Sequence, residues 1–327
     1  MEMTLIYTVI GFGLAGYSVI GNDSIQTLGT FIASKQKWFK WYVLASAASF
    51  VMILALAWGW YSYNGDISYG RLNRIPYQEI QWYHAVAPAI LLVLTRVGIP
   101  VSTTFLVLSA FASTVVLEKM LMKSVVGYGL AAMVAYVCWI VVSRFINEKF
   151  DEVKGDFWIS FWRNSVWVTS GWLWWVWLSH DVANIAVYLP RQLSIELLII
   201  VMAYFTILLF YIFYIQGGRI QTVVLEKTGT RYARSATIIN VIYAAVLFYF
   251  KELNDLPMST IWVFVGLLCG RELAIATMNR DYKLGYVFPL IGKDFLKMVF
   301  GLTVSVGICL LYTSDAADDT PCVDLGG

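Results

Sequence analysis

Long runs without a single charge recur through this sequence: Met3 to Asn22, Trp41 to Asn64, Val97 to Leu117, Ser124 to Ser143 and Leu197 to Gly218. Crossing a hydrocarbon core of about 30 Å takes roughly 20 apolar helical residues, and each run reaches or approaches that length. Helices are required, because a lone strand leaves its backbone unpaired in lipid. With 59% hydrophobic and only 13% charged residues, the chain lies well outside the usual mix of a soluble domain. The sequence reads as an all-α, polytopic integral membrane protein of a plasma or inner membrane.

The first run begins at Glu2 without a basic flank or a small-residue cleavage pattern, so it is read as a retained span rather than a signal peptide. Cys138, Cys269, Cys309 and Cys322 lack metal-ligand spacing and read as small core residues. Basic residues gather in loops: Lys35, Lys37, Lys40; Arg144, Lys149, Lys154; Arg219, Lys227, Arg231, Arg234; Arg280, Lys283. If these face the cytoplasm, as the positive-inside rule favours, the opposite side carries only Arg71, Arg74, Lys119, Lys123 and Arg191. Such loops set topology and touch lipid head groups; nucleic acid is not an expected partner.

One internal repeat stands out. Asp23 ends a hydrophobic stretch in GNDSIQ, and Asp181 ends another in SHDVAN. Pro100, in IPVSTT, follows Asp23 by 77 residues; Pro257, in LPMSTI, follows Asp181 by 76. Two features recurring in step point to duplicated halves, residues 1–157 and 158–308. The uncharged runs Ile80 to Thr95 and Ser235 to Phe250 would extend only about 24 Å as helices, short of a crossing. A proline breaks the helix before it and suits the start of the next. Each half is therefore expected to hold a broken first helix, a full second helix, a re-entrant hairpin turning at the proline, and a closing helix. An odd number of crossings inverts the second half, and inverted repeats with discontinuous helices are the architecture of secondary transporters.

An ionisable group within the membrane is costly and marks an ion or proton path. Asn22 and Asp23 sit where the first helix would break; the competing reading makes Asp23 a cap for the helix after Ser24. Asp181 and Asn184 project from one helix face, with Gln26 as the matching amide of the first half. Such hard oxygen donors suit a small hard cation. Ser102, Thr103, Thr104, Ser259 and Thr260 place hydroxyls at helix N-termini, where free N–H groups and the dipole favour an anion. Two such ends converging would hold a tetrahedral oxyanion. His180 is a proton-coupling group or a hydrogen-bonding stand-in for asparagine; His84, beside Trp82 and Tyr83, reads as interfacial. Arg96 either attracts the anion or pairs structurally, as Lys251 does with Glu252 or Asp255. Arg271 and Glu272 read as a pair, and WLWWVW, residues 172 to 177, as lipid-facing or packing bulk.

These motif pairs resemble the signatures of the inorganic phosphate transporter family, cation-coupled phosphate permeases that include sulfate-transporting relatives. The family pattern runs G-[AS]-N-D-V-A-N-[AS]-x-G-[TP] and later P-[VI]-S-T-T-H. The first half keeps Gly21, Asn22, Asp23, Gly29, Thr30, Pro100, Val101, Ser102, Thr103 and Thr104; the second keeps Asp181, Val182, Ala183, Asn184, Pro257, Ser259 and Thr260. It departs at Ser24-Ile25-Gln26 for Val-Ala-Asn, at His180 for Asn and at Phe105 for His, and its second helix has no acid.

No phosphate-binding loop of the G-x-x-x-x-G-K-[ST] type is present, so ATP is not the evident energy source. The resemblance implies a symporter, not an enzyme, for inorganic phosphate, with Na⁺ or H⁺ as coupling ion and no cofactor or resident metal. Asp23, Ser102, Thr103, Thr104, Asp181, Ser259 and Thr260 would hold the anion. Asn22, Asp23, Gln26, Asp181 and Asn184 would hold the cation, with Arg96 and His180 in reserve. A homodimer is left open. A sulfate or other oxyanion permease is the alternative within the class. From other classes, an intramembrane enzyme would need Asp23 and Asp181 as a close carboxylate pair, and a scaffold would leave the duplicated acids without a purpose. Residues 309–327 turn abruptly acidic and small, and are read as a non-native tail replacing the true C-terminus.

Overall fold

The structure, a computed structural model, describes residues 2–96, 102–142, 156–217 and 233–278, with 285, 288–289, 291–293, 295–296 and 299–307. Among these residues every regular element is a helix. Six helical stretches are long and apolar enough to cross a membrane: Glu2–Gly21, Trp41–Ser62, Val115–Val142, Ile195–Tyr214, Ala236–Leu253 and Thr260–Met278. The protein is an integral, multi-pass membrane protein.

The first run folds as α1 (Glu2–Ser18), which passes through one π-helical turn, Val19–Asp23, into α2 (Ile25–Lys35). The Ser24 N–H donates to Val19 O at 3.0 Å and the Ser24 hydroxyl to Ile20 O at 2.6 Å, so the expected break is a widened turn rather than a gap. Such turns inside α-helices recur at functional sites. Next come α3 (Trp41–Ser62), α4 (Trp82–Arg96), α5 (Thr103–Leu108) and α6 (Thr114–Val142). The second part holds α7 (Asp156–Asp181), α8 (Ala183–Ala186), α9 (Ile195–Tyr214), α10 (Ala233–Leu253) and α11 (Thr260–Met278). Residues 285, 288–289, 291–293, 295–296 and 299–307 are helical; the other residues of the expected closing helix, residues 143–155, 218–232 and 279–284, and the tail lie outside the described residues.

Two expected elements are corrected. The run Val97 to Leu117 is not one ascending helix: α5 has only 6 residues, and the 29-residue α6 begins at Thr114 and takes in Glu118, Lys119 and Lys123. The second descending arm is not short either. α10 has 21 residues, about 31 Å, because Arg234, Lys251 and Glu252, which end the uncharged run, remain helical at its ends. By contrast α4, at 15 residues, has the expected short length and carries Pro88 inside it.

Packing repeats along the chain. α1 lies on α4 as α7 lies on α10, and α3 lies on α9, second helix against second helix. Trp174 and Trp177 are buried and stacked, centroids 5.3 Å apart, and the Trp174 indole donates to Ala48 O at 3.0 Å, locking α7 to α3. Trp172 is exposed, so the tryptophan cluster both packs and faces outward. The loops after α3 and α8 also join, with the Leu193 N–H donating to the carbonyl of Gly65, a residue held at φ +93°.

The closest helix contact is between α6 and α11, and glycine sets it. A Cβ on Gly266 would lie 2.3 Å from Tyr128 O, and one on Gly270 2.0 Å from Ala132 O. Four residues apart on one face, they form a small-xxx-small surface, the means by which helices approach in lipid. Gly270→Val is expected to destabilise the protein by about 1–3 kcal/mol through overpacking. Gly129→Val, on open space, is the control; equal thermal shifts for the two in detergent would contradict the packing assignment.

Candidate functional site

The two motif aspartates each meet the threonine of their own proline motif. The Thr103 hydroxyl donates to Asp23 Oδ2, and the Thr260 hydroxyl donates to Asp181 Oδ2 at 2.6 Å. Thr103 follows Asp23 by 80 residues and Thr260 follows Asp181 by 79, so the same bond is made twice at matching positions. Asp23 lies at the end of the π turn, and Asp181 is the last residue of α7. At Asp23 the helix widens by one π turn, whereas at Asp181 α7 runs on into α8 through Val182, whose backbone stays right-handed helical. The bond to Thr103 gives Asp23 a role that a local cap does not supply, and Ser24, the N-cap of α2, makes no side-chain cap bond.

The amides then link the two motif segments. Asn184 Nδ2 donates to Asp181 Oδ1 at 3.0 Å and to Thr104 Oγ1 at 3.3 Å, and the Thr104 hydroxyl donates to Met258 O at 3.2 Å. Gln26 Oε1 accepts from the Tyr243 hydroxyl at 3.1 Å, which also approaches Thr260 O at 3.0 Å. Phe105 and Trp262, each three residues past the motif serine, face each other with centroids 5.6 Å apart. Asp181, Asn184, Gln26, Thr103, Thr104, Ser259 and Thr260 are all buried, so the group forms one polar core within apolar helices.

The helix ends are less free than the sequence implies. Ser102 caps α5 by accepting from the Phe105 N–H at 3.3 Å, and the Ser259 N–H donates to Ser124 Oγ at 2.9 Å. Hydroxyls, more than open N–H groups, therefore face the core. Among the described residues Asn184 Oδ1 and Ser259 Oγ are buried without a hydrogen-bond partner. With Asp181 Oδ1 they are hard oxygen donors of the type that suits an alkali cation. No three His, Cys, Asp or Glu side chains gather as a metal cluster among the described residues.

Some expectations move. His84 is not interfacial: it is buried, accepts from the Gln81 N–H at 2.9 Å, lies 3.2 Å from Ala110 O and stacks on Phe111. His180 is buried with Nε2 2.9 Å from Leu247 O, tying α7 to α10. Lys251 pairs with Glu252 and Arg271 with Glu272, both at 3.1 Å. The side chains of Asn22 and Arg96, and residues Pro100 and Val101, lie outside the described residues.

Three cations counted as loop charges are in fact buried. Arg71 Nε donates to Ser179 O at 2.8 Å and Nη1 approaches Leu256 O at 3.3 Å. Lys123 Nζ donates to Leu256 O and Asn254 Oδ1, both at 2.8 Å. Both hold the linker that carries Ser259 and Thr260, against carbonyls left free past the end of α10, where positive charge is favoured. Lys35 donates to Arg163 O at the other end of α7.

Tyr243, Ser124 and this use of Arg71 and Lys123 are not among the residues expected from the sequence. Tyr243 offered one signal: it is among the few polar-tipped side chains of an otherwise apolar run.

No protein-family model matches the chain, and no curated protein does. Among solved structures it is similar to one titled "The sodium-dependent phosphate transporter", with a TM-score of 0.64 over 97% of this chain and 100% of that one, at 17% identity. The two share a fold.

Thr260→Val removes the Asp181 bond while keeping side-chain volume, and is expected to cost about 1–3 kcal/mol, because a buried acceptor is stranded. Thr260→Ser is expected to restore most of it. Thermal unfolding in detergent measures both, and an unperturbed Thr260→Val would contradict the assignment.

Proposed function

We propose that the protein is a secondary active transporter that carries inorganic phosphate across the membrane together with Na⁺ or H⁺. The observation that carries this reading is the carboxylate–threonine bond made twice, where the two proline-motif segments meet among apolar helices. The shared fold supports it, since the solved structure it resembles is titled a sodium-dependent phosphate transporter. In this reading residues 1–157 and 158–308 are inverted repeats, and the core described above lies on the axis between them.

The chemistry follows from charge. An oxyanion among Ser102, Thr103, Thr104, Ser259 and Thr260 meets hydroxyl donors but also two carboxylates, Asp23 and Asp181. Anion and carboxylates repel in a low-dielectric core unless a cation enters with the anion. Asp181, Asn184 and Ser259 offer oxygens for that cation in one half, and Asp23 with Gln26 in the other, with Asn22 beside them in sequence. Binding of one charge sign then depends on the other, which is symport. A protonated phosphate can also donate to a carboxylate, whereas sulfate at neutral pH has no proton to give; a site left with an unpaired acceptor rejects the wrong ligand.

Labelled phosphate and sulfate uptake into proteoliposomes, with sodium and proton gradients imposed separately, tests this. Phosphate is expected to accumulate under one of the gradients, and Asp23→Asn is expected to abolish that uptake or relax the choice of anion. Failure with both anions under both gradients, or unchanged uptake and selectivity in the variant, would contradict it.

A further inference from the structure

Beyond the core, a chain of hydrogen-bonded buried side chains runs between α2, α7 and α10. The Thr30 hydroxyl donates to Asn240 Oδ1 at 2.9 Å, and Asn240 Nδ2 donates to Ser170 Oγ at 2.9 Å. All three are buried, and they join α2, α10 and α7. Thr30 lies one turn past Gln26 on α2, and Asn240 one turn before Tyr243 on α10, so this layer adjoins the core. Farther along the same helices, Lys35 is buried with Nζ on Arg163 O and 5.4 Å from the Trp167 ring.

The opposite side is built otherwise. Tyr188 follows Asp181 by seven residues, as Thr30 follows Asp23. Where Thr30 meets an amide, the Tyr188 ring stands edge-on to Phe111 at 5.5 Å, presses on Gly11 and donates to His84 O at 2.6 Å. His84 in turn stacks on Phe111 at 4.1 Å. Arg71 and Lys123 close the same side through their carbonyl contacts. Opening there exposes packed rings and strands several main-chain carbonyls. Opening through Thr30, Asn240 and Ser170 parts the Phe31–Trp167 ring contact, 5.0 Å between centroids, but strands no polar group, because short polar side chains exchange their bonds for water.

We infer that the site communicates with solvent between α2, α7 and α10, along a route lined by Thr30, Asn240 and Ser170 with Lys35 as the charge at its mouth. The route is assigned for the oxyanion of the proposed function and rests on that reading for its cargo. Lys35 has no carboxylate partner among the described residues; it is held by a carbonyl and an indole. An oxyanion is a stronger partner for an ammonium than either, so an entering or leaving anion itself releases the contact that closes the mouth.

The test uses the full chain with Cys138, Cys269, Cys309 and Cys322 replaced by alanine, reconstituted in vesicles without any transported anion. Thr30→Cys and Asn240→Cys are expected to react with an impermeant thiol reagent at least about tenfold faster than Tyr188→Cys and Phe111→Cys, through local opening. Labelling should occur from the side that bears Lys35. The reverse order, equal rates or no labelling at Thr30 and Asn240 would overturn the route. Because the rates are read without phosphate, a protein that labels in this pattern but takes up no phosphate would contradict the function and leave the route standing. As a second reading, Asn240→Leu should keep labelled-phosphate binding within about twofold while slowing uptake about tenfold, a binding-against-turnover split. Wild-type uptake in that variant would overturn the route as well.

Discussion

A carboxylate placed inside a membrane must find hydrogen-bond donors within the protein, and the core of this structure is organised around that demand. Asp181 takes one donor from Thr260 and one from Asn184, and Asp23 takes one from Thr103. To deliver those threonines, each proline-motif segment must reach a carboxylate at the end of the π turn or of α7. The hairpins then meet, Thr104 on Met258 O and Phe105 against Trp262. Removing the acids would remove the reason for the breaks, the turns and their meeting.

The buried cations serve the backbone more than the acids. Arg71 and Lys123 fix the linker after α10 by holding its carbonyls, and Lys35 holds the far part of α7. Positive charge is therefore present near both ends of α7, yet bound to neutral acceptors that an anion can replace. Against this, α6 and α11 are joined by close backbone approach at Gly266 and Gly270, with the Tyr128 hydroxyl donating to Cys269 Sγ at 3.7 Å and Arg271 over the Trp139 ring. Close backbone packing sits in one place and exchangeable side-chain contact in another. The proposed transport, which requires opening without unfolding, needs that division of labour.

Much of the fold was legible because lipid imposes simple rules: long uncharged runs, a proline at each hairpin, and paired motifs at nearly equal spacing. The site was legible for the same reason, since Asp23, Asp181 and their threonines break an apolar pattern. What was not legible depended on tertiary partners. α10 outran its uncharged stretch because Arg234, Lys251 and Glu252 remain helical at its ends. His84 read as interfacial beside Trp82 and Tyr83, but its ring stacks on Phe111 from a loop 27 residues later. Arg71 and Lys123 counted as surface charge because nothing local shows the carbonyls they reach. Tyr243 and Asn240 looked like lone polar residues on a buried helix; their function is set by Gln26, Thr30 and Ser170 on other helices.

The central claim is that the two carboxylate–threonine pairs form one site. Equilibrium binding of labelled phosphate to purified protein, measured for wild type, Thr103→Val, Thr260→Val and the double variant, tests it most directly. One shared site predicts that each single change weakens binding and that the two are coupled, by about 0.5–3 kcal/mol in the double-mutant cycle. Additive losses, or binding indifferent to either threonine, would contradict the account.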